Sequence, residues 1–246
     1  AERLIPANSG NSKNRLEFRA FGNDRVTLDG KGKGGQGVIY LNGCSYVTIA
    51  GLNPVNGSEA GIWVINCSHI LLYGNHTYNT YSSGIIISEF GVNDHIYIDS
   101  NEVELACNDG GQECLSVSKT TVFEISRNHV HHGGPGTRGG EGIDAKFGSS
   151  HGKIYGNYCH HLSRQGIYVD AWKEHTHDID VFNNVVHDCI GDGFDCASET
   201  GGLLENIRFY NNVAYNCGFN GMAIRSWGGM DGPKRSIVIC NNTFFH

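Results

Sequence analysis

Ionisable side chains gather from residue 113 onward, at repeated positions where they could act on a bound molecule. The set consists of Glu113, Glu141, Asp144, Lys146, Asp170, Asp192, Asp195 and Arg225, with Tyr168 among them. Carboxyl groups held this close repel one another, so they call for a cation or for shifted pKa values. Such a set suits ligation of a hard cation such as Ca²⁺, or general acid–base catalysis. A solvated polar face without function is the alternative to both.

These residues belong to a repeat of about 27 residues. Asparagines that each close a short apolar alternation recur at Asn75, Asn101, Asn128, Asn157, Asn184, Asn212 and Asn242. A strand pattern also follows each of Gly61, Gly84, Cys114, Gly142, Gly166, Gly193 and Gly221. Short strands in one repeat cannot bury an apolar face alone, whereas stacked coils can. The repeat therefore predicts an all-β parallel solenoid of about eight coils, with an asparagine ladder along one turn.

The period of two along a strand separates core positions from outer positions. Positions one and three after each register residue are apolar and predict the core. Positions two and four predict two outward columns, which read Trp63, Ile86, Ser116, Asp144, Tyr168, Asp195, Ala223 and Ile65, Ser88, Ser118, Lys146, Asp170, Ala197, Arg225. A third column precedes the register residues and carries Glu113, Glu141, Gln165 and Asp192. The acids of all three columns therefore share one face of the solenoid.

The composition excludes several classes of protein. Thirty-five glycines, 39% hydrophobic residues and only 17% charged residues exclude a disordered chain and a helical bundle. A net charge of −7 argues against nucleic acid as a partner, and no apolar run approaches the length of a membrane span. We expect a single, monomeric domain over residues 1–246, with terminal residues missing at one or both ends. Four Asn-x-Ser/Thr sequons fit a secreted, extracellular or periplasmic protein.

The repeat resembles the right-handed parallel β-helix proteins of the pectate-lyase-like superfamily, from about Arg15 to the end of the chain. The segment 191–195, Gly-Asp-Gly-Phe-Asp, is similar to the Asp-Gly-aromatic-Asp calcium motif of family 9 pectate lyases. The segment 141–146 is similar to the coil that precedes this motif there, and 113–119 is similar to a strand of alginate and chondroitin lyases. Two features depart from family 9: an extra coil, 165–172, and Ala223 where the catalytic lysine is expected.

The resemblance implies a calcium-dependent lyase that cleaves an acidic, uronic-acid-containing polysaccharide by β-elimination. In this hypothesis calcium is held by Asp144, Asp170, Asp192 and Asp195. Lys146 removes the proton, Arg225 neutralises the substrate carboxylate and Tyr168 donates a proton to the leaving oxygen. The polysaccharide would contact Glu141, Trp172 and Trp227. Because Lys146 is predicted to point outward, its replacement by alanine is expected to abolish elimination without disturbing the fold.

Two other functions remain open. A glycoside hydrolase could pair Asp144 with Asp195, about 9–10 Å apart across two coils, or Asp170 with Asp195 in adjacent coils. The sequence lacks the signatures of polygalacturonases and alginate epimerases. A non-catalytic carbohydrate-binding protein would instead stack sugars on Trp63, Tyr168, Trp172 and Trp227, which this hypothesis takes as exposed.

Histidines form a separate pattern three residues after the ladder asparagines. His131, His160 and His187 occupy equivalent positions in successive repeats, about 5 Å apart if the coils stack. Stacked imidazoles could bind a transition metal, although Asn-x-x-His turns are also ordinary in such coils. The sequence leaves both possibilities open.

Overall fold

The computed structural model describes residues 2–135, 138–227 and 229–245, without the side chain of Trp227. Over these ranges the chain forms 26 strands, which we number β1–β26 in chain order. None of these described residues forms a helix with the length and hydrophobicity of a membrane span. Successive strands pass in turn to three parallel sheets, so each coil contributes one strand to every sheet.

The first and second sheets contain nine strands each. Sheet 1 contains β1(Leu16–Arg19), β4(Val47–Ala50), β7(Ser68–Tyr73), β10(Asn93–Asp99), β13(Thr120–Ser126), β16(Ser150–Tyr155), β19(His175–Phe182), β22(Leu203–Tyr210) and β25(Lys234–Cys240). Sheet 2 contains the shorter strands β2(Val26–Asp29), β5(Leu52–Val55), β8(His76–Tyr78), β11(Glu102–Glu104), β14(His129–His131), β17(Tyr158–His160), β20(Val185–His187), β23(Val213–Tyr215) and β26(Thr243–Phe245).

The third sheet contains eight strands and carries the acidic columns. Sheet 3 contains β3(Gly37–Asn42), β6(Ala60–Ile65), β9(Ile85–Ile87), β12(Leu115–Ser118), β15(Ile143–Lys146), β18(Ile167–Trp172), β21(Phe194–Glu199) and β24(Met222–Trp227). Its register aligns Asp144 with Tyr168 and Tyr168 with Asp195. The prediction of an all-β parallel solenoid of about eight coils is confirmed, as is the predicted alignment of this outward column.

The core is a single apolar stack that runs along the inside of the solenoid. Positions one and three of the sheet 3 strands are fully buried from β6 to β21, as the alternation predicts. The last coil differs, because Ile224 on β24 is 48% exposed. Eight of the nine cysteines are buried free thiols that fill the interior, and Cys240 is exposed.

The predicted asparagine ladder runs between sheets 1 and 2. At each step, the backbone N–H and the side-chain amide of one asparagine donate to Oδ1 of the next, at 2.9–3.0 Å. From Asn75 onward the side-chain amide also donates to a backbone carbonyl of the preceding coil, as Asn101 does to Leu72. These buried amides therefore satisfy the turn backbone and fix the register of neighbouring coils.

A left-handed residue precedes each ladder asparagine and makes the corner sharp. These residues have φ between 54° and 66° and are Gly74, Ser100, Arg127, Gly156, Asn183, Asn211 and Asn241. One residue in this conformation turns the chain without a loop. The corner therefore brings the strands of sheets 1 and 2 close together in every coil.

Candidate active site

A cavity of about 300 Å³ lies on the outer face of sheet 3. It is lined by Gly111, Glu113, Glu141, Asp144, Lys146, Arg164, Gln165, Tyr168, Asp170, Trp172 and Glu199. Most of these residues lie on, or shortly before, four neighbouring strands of sheet 3, namely β12, β15, β18 and β21. The hydrogen-bonded ladder of the sheet therefore sets their positions. Five carboxyl groups thus share one cavity with two cationic side chains.

Lys146 is the buried cation of this cavity. Its Nζ donates to Oε1 of Glu113 and lies 3.4 Å from Oδ2 of Asp144. Burial alone would lower the pKa of Lys146, but the charges of Glu113, Asp144 and Asp170 raise it well above the ordinary value. The lysine therefore stays protonated at neutral pH and offsets the charge of the surrounding carboxylates.

Asp170 is positioned to hold a proton. Its Oδ1 accepts a hydrogen bond from the backbone N–H of Trp172, at 2.8 Å. Burial raises its pKa to about 8, although nearby Lys146 acts in the opposite direction. Asp170 is therefore largely protonated at pH 7.

Tyr168 and Glu199 form a hydrogen-bonded pair beside Asp170. The phenolic hydroxyl donates to Oε1 of Glu199, which lies one coil further along on β21. Burial, with the charges of Asp170 and Glu199, raises the pKa of the phenol. Tyr168 is therefore a neutral hydrogen-bond donor, and Glu199 accepts its hydrogen bond.

Glu141 and Arg164 form the outer wall of the cavity. Arg164 Nε lies 2.7 Å from Oε1 of Glu141 in an ion pair, and the arginine side chain is 45% exposed. Burial and the charge of Glu113 raise the pKa of Glu141 to about 7, while Arg164 acts in the opposite direction. Arg164 is the cation of the cavity that solvent reaches most readily.

A second group of predicted residues lies beside this cavity and not in it. Arg225 donates to Oδ2 of Asp192, and its Nε lies 3.3 Å from Oδ2 of Asp195. Asp192 and Arg225 line a neighbouring cavity of about 160 Å³. Asp195 is fully buried, and this burial raises its pKa to about 7. The structure therefore divides the predicted site residues into two groups.

Two expectations about the outward columns are wrong. Tyr168 is buried, not exposed, and Asp144, Asp170, Asp192 and Asp195 are all buried. Coils stack at about 4.8 Å, so the long side chains on this face pack over the short ones. For the same reason Lys146 is not a free outward side chain, since only 12% of it is exposed, and its removal is expected to destabilise the fold.

The two predicted tryptophans have different outcomes. Trp172 is half-buried and lines the cavity, and its predicted substrate contact stays a prediction. The backbone of Trp227 lies on β24, opposite Glu199. Its side chain lies outside the described part of the structure, so its predicted substrate contact stays a prediction.

The four predicted calcium ligands do not converge on one point. In the described part of the chain, the groups of three or more side chains with ligand atoms within 4.8 Å include none of these aspartates. Asp144 faces Lys146, while Asp192 and Asp195 face Arg225, so cationic side chains of the protein already stand beside them. As placed, the set does not fit a single calcium site, and calcium stays a prediction that chelation would test.

Glu199 and Arg164 were missed as candidate residues. Glu199 stands six positions after Gly193, and Trp172 stands six positions after Gly166. Extending the outward columns by two residues would have revealed Glu199. Arg164 precedes the strand pattern of its coil, so the period of two gives no signal for it.

The parallel solenoid places the protein in the class of β-helix proteins. The family described as right handed beta helix region matches residues 89–244, more than half of the sequence. The chain belongs to this family. No curated protein matches the sequence.

Two solved structures have a similar fold. An alginate lyase from Paenibacillus sp. str. FPU-7 superposes with a TM-score of 0.54 at 15% identity, covering 97% of this chain and 87% of the lyase. A lacto-N-biosidase of family GH136 from Eubacterium ramulus superposes with a TM-score of 0.52 at 12% identity. That match covers 99% of this chain but only 60% of the biosidase. At such identities the likeness establishes the fold alone.

Proposed function

We propose that this protein is a carbohydrate-active enzyme that cleaves a polysaccharide at the sheet 3 cavity, acting as a glycoside hydrolase. The observation that carries the proposal is that one cavity holds two carboxyl groups from adjacent strands: Asp170, whose pKa burial raises to about 8, and Glu199, which accepts a hydrogen bond from Tyr168. Hydrolysis of a glycosidic bond uses such a pair, one group as acid and the other as base or nucleophile. The proposed site of action is extracellular or periplasmic.

In this proposal Asp170 is the general acid. Its raised pKa keeps a proton available at neutral pH for the leaving glycosidic oxygen. Glu199 is the partner carboxyl group, because its Oε1 accepts a hydrogen bond from the hydroxyl of Tyr168. The two residues lie on adjacent strands, two positions out of register, so their Cα atoms are on the order of 8 Å apart.

The charge of the cavity favours an uncharged polysaccharide. Both cations of the cavity are already paired, Lys146 with Glu113 and Arg164 with Glu141. A polyuronate would have to displace one of these partners or bring a cation of its own. The half-buried ring of Trp172 offers a flat apolar surface on which a neutral sugar can stack.

A calcium-dependent lyase is the second candidate, and the pairing of Tyr168 with Glu199 favours it. Glu199 could remove the proton beside a substrate carboxylate, and Tyr168, a neutral donor, could pass its proton to the leaving oxygen. Arg164, half exposed at the cavity wall, could neutralise that carboxylate. Lys146 is a poor base in this chemistry, because its raised pKa keeps it protonated. The lyase would therefore depend on Tyr168 and not on Lys146.

A panel of neutral and uronate polysaccharides, assayed with calcium and then with chelator, tests the proposal. New reducing ends without ultraviolet absorbance of unsaturated uronate are expected. Asp170→Asn should lower kcat by about 10²–10⁴-fold, whereas Tyr168→Phe should have a smaller effect. Glu205→Gln, on the outer side of sheet 1, is the matched control.

Other outcomes of this panel overturn parts of the proposal. Unsaturated products, lost on chelation and in Tyr168→Phe, would replace the hydrolase with the lyase. Full activity of Asp170→Asn would exclude this residue as the acid. The absence of cleavage of every polymer would reject an enzyme of either kind for these substrates.

A further inference from the structure

Histidines crowd the outer face of sheet 2, away from the sheet 3 cavity. His129 and His131 lie on β14 with one residue between them, so their side chains leave the same face of the strand. His160 on β17 is the direct parallel partner of His131. Glu102 on β11 is the partner of His129. Three adjacent coils therefore contribute to one cluster.

The ring nitrogens of this cluster lie at ligand-to-ligand distances. Nε2 of His129 lies 2.8 Å from Nε2 of His160. Nε2 of His131 lies 3.2 Å from Oε1 of Glu102, and the same carboxylate lies 3.9 Å from Nδ1 of His129. One nitrogen from each of the three histidines falls within 4.8 Å of the other two. Two nitrogens 2.8 Å apart must share a single proton or a single cation.

We propose that His129, His131 and His160 bind a divalent transition metal ion of the Zn²⁺ class. Imidazole nitrogen suits Zn²⁺, Cu²⁺, Co²⁺ and Ni²⁺, and three histidines form a complete protein ligand set for zinc with one position open. Metal–nitrogen bonds of about 2.0 Å in a tetrahedral arrangement place two nitrogens about 3.3 Å apart. The separation of the His129 and His160 nitrogens needs to widen only slightly, which side-chain rotation can supply.

Ring stacking and strand pairing around the cluster fix the imidazole rings in positions from which they can bind an ion. The ring of His160 stacks between those of His131 and His187, at centroid distances of 5.1 and 5.0 Å. The strands that carry the three ligands pair in register, so the ligand set does not depend on a flexible loop. Glu102 adds a negative charge beside the rings and offsets the charge of the cation.

Cobalt binding to metal-stripped protein tests this proposal. Co²⁺ is expected to give the visible absorption of a low-coordinate site at about one equivalent, and Zn²⁺ should displace it. His160→Gln and His129→Gln should each weaken this binding by at least about 100-fold. His175→Gln, an exposed histidine on sheet 1 that bonds to Glu205, is the matched control and should bind as the wild type does.

Stability provides a second measurement that is independent of enzymatic activity. Zn²⁺ should raise the Tm of the wild type and of His175→Gln, but not that of His160→Gln. Circular dichroism of the metal-free variants verifies that each one folds. If His160→Gln does not fold, His129→Gln takes its place in the measurement of Tm. Absence of the cobalt spectrum in the wild type would overturn the proposal, and so would unchanged binding in both ligand variants.

Discussion

Lys146 shows how strongly one buried side chain affects the charge and the stability of the sheet 3 cavity. Among the described residues it is the only lysine that lines the sheet 3 cavity, and it faces two carboxylates there. Removing one partner of a buried ion pair leaves uncompensated charge, which is more destabilising than the loss of an exposed pair. Lys146 therefore links the free energy of unfolding to the charge of the carboxyl groups that surround it.

Replacing Lys146 by methionine is expected to lower the free energy of unfolding by about 3–5 kcal/mol. The loss should grow as pH rises, because more of the neighbouring carboxyl groups then ionise without a cation. Urea denaturation at pH 5 and pH 8 measures both effects. Lys153→Met, which breaks an exposed pair with Glu124, should change stability by less than about 1 kcal/mol. Equal effects in the two variants would contradict this account.

The raised pKa of Asp170 makes its contribution to stability depend on pH. In the unfolded chain its carboxyl titrates near 3.8, whereas in the folded protein its pKa is about 8. The folded state therefore binds more protons between these values, and the stability due to Asp170 falls as pH rises through this window.

Comparison with Asp170→Asn isolates that contribution. Asparagine retains an oxygen for the backbone N–H of Trp172 but does not titrate. The stability of the wild type relative to this variant should fall between pH 4 and pH 8, as measured by urea denaturation in the presence of chelator. A relative stability that rises or stays level over this range would show that Asp170 is ionised in the folded protein.

The single residues also mark the limit of what the sequence could predict. Its periodicity correctly aligned Asp144, Tyr168 and Asp195 in one column, because strand register follows from a period of two. It could not predict that these side chains are buried, since burial depends on the long side chains of neighbouring coils. The division between the Lys146 and Arg225 groups, and the role of Arg164, arise from side-chain conformations that no spacing encodes.

At the scale of the strand, a left-handed residue interrupts the sheet 1 strands at one repeated position. These residues have φ between 52° and 58° and are Tyr46, His69, His95, Val122, His151, Asp178, Asn206 and Ser236. Asparagine, aspartate and histidine tolerate this conformation, whereas a β-branched residue is strained in it. Val122 is the one β-branched residue of this column, so strand β13 carries local strain.

Val122→Asn is therefore expected to stabilise the protein by about 1 kcal/mol. Thermal and urea denaturation of the variant measure the change. Thr121→Asn, at the neighbouring exposed position without a left-handed φ, is the control and should not stabilise. A destabilised Val122→Asn would mean that the apolar contacts of the half-buried valine outweigh the backbone strain.

At the scale of the whole molecule, each coil is stabilised by the coils that precede and follow it along the solenoid axis. Each strand pairs with the equivalent strand of the next coil, and β25 has a single neighbour, β22. Apolar side chains on the last strands are also less covered, since Ile239 and Phe244 are exposed. Coils with neighbours on both sides should therefore be more stable than those at the end of the stack.

Amide hydrogen exchange should reproduce this gradient. Protection is expected to be greatest for strands β10 to β19 and lowest for β25 and β26, because opening the last coil breaks contacts on one side only. Exchange followed by mass spectrometry of peptides resolves the coils. Uniform protection along the chain would indicate that the solenoid opens as one cooperative unit.

The asparagine ladder tolerates coils of unequal length. Its steps vary from 26 to 30 residues, yet every step keeps the same pair of hydrogen bonds. The coils that contain β12 and β15 span 27 and 29 residues from one ladder asparagine to the next, and residues before these strands, such as Gly111 and Glu141, line the cavity. Insertions and deletions there alter the cavity wall without shifting the core. An evolving lineage could in this way exchange one substrate for another by changing loop length alone, while the stacked interior stays as it is.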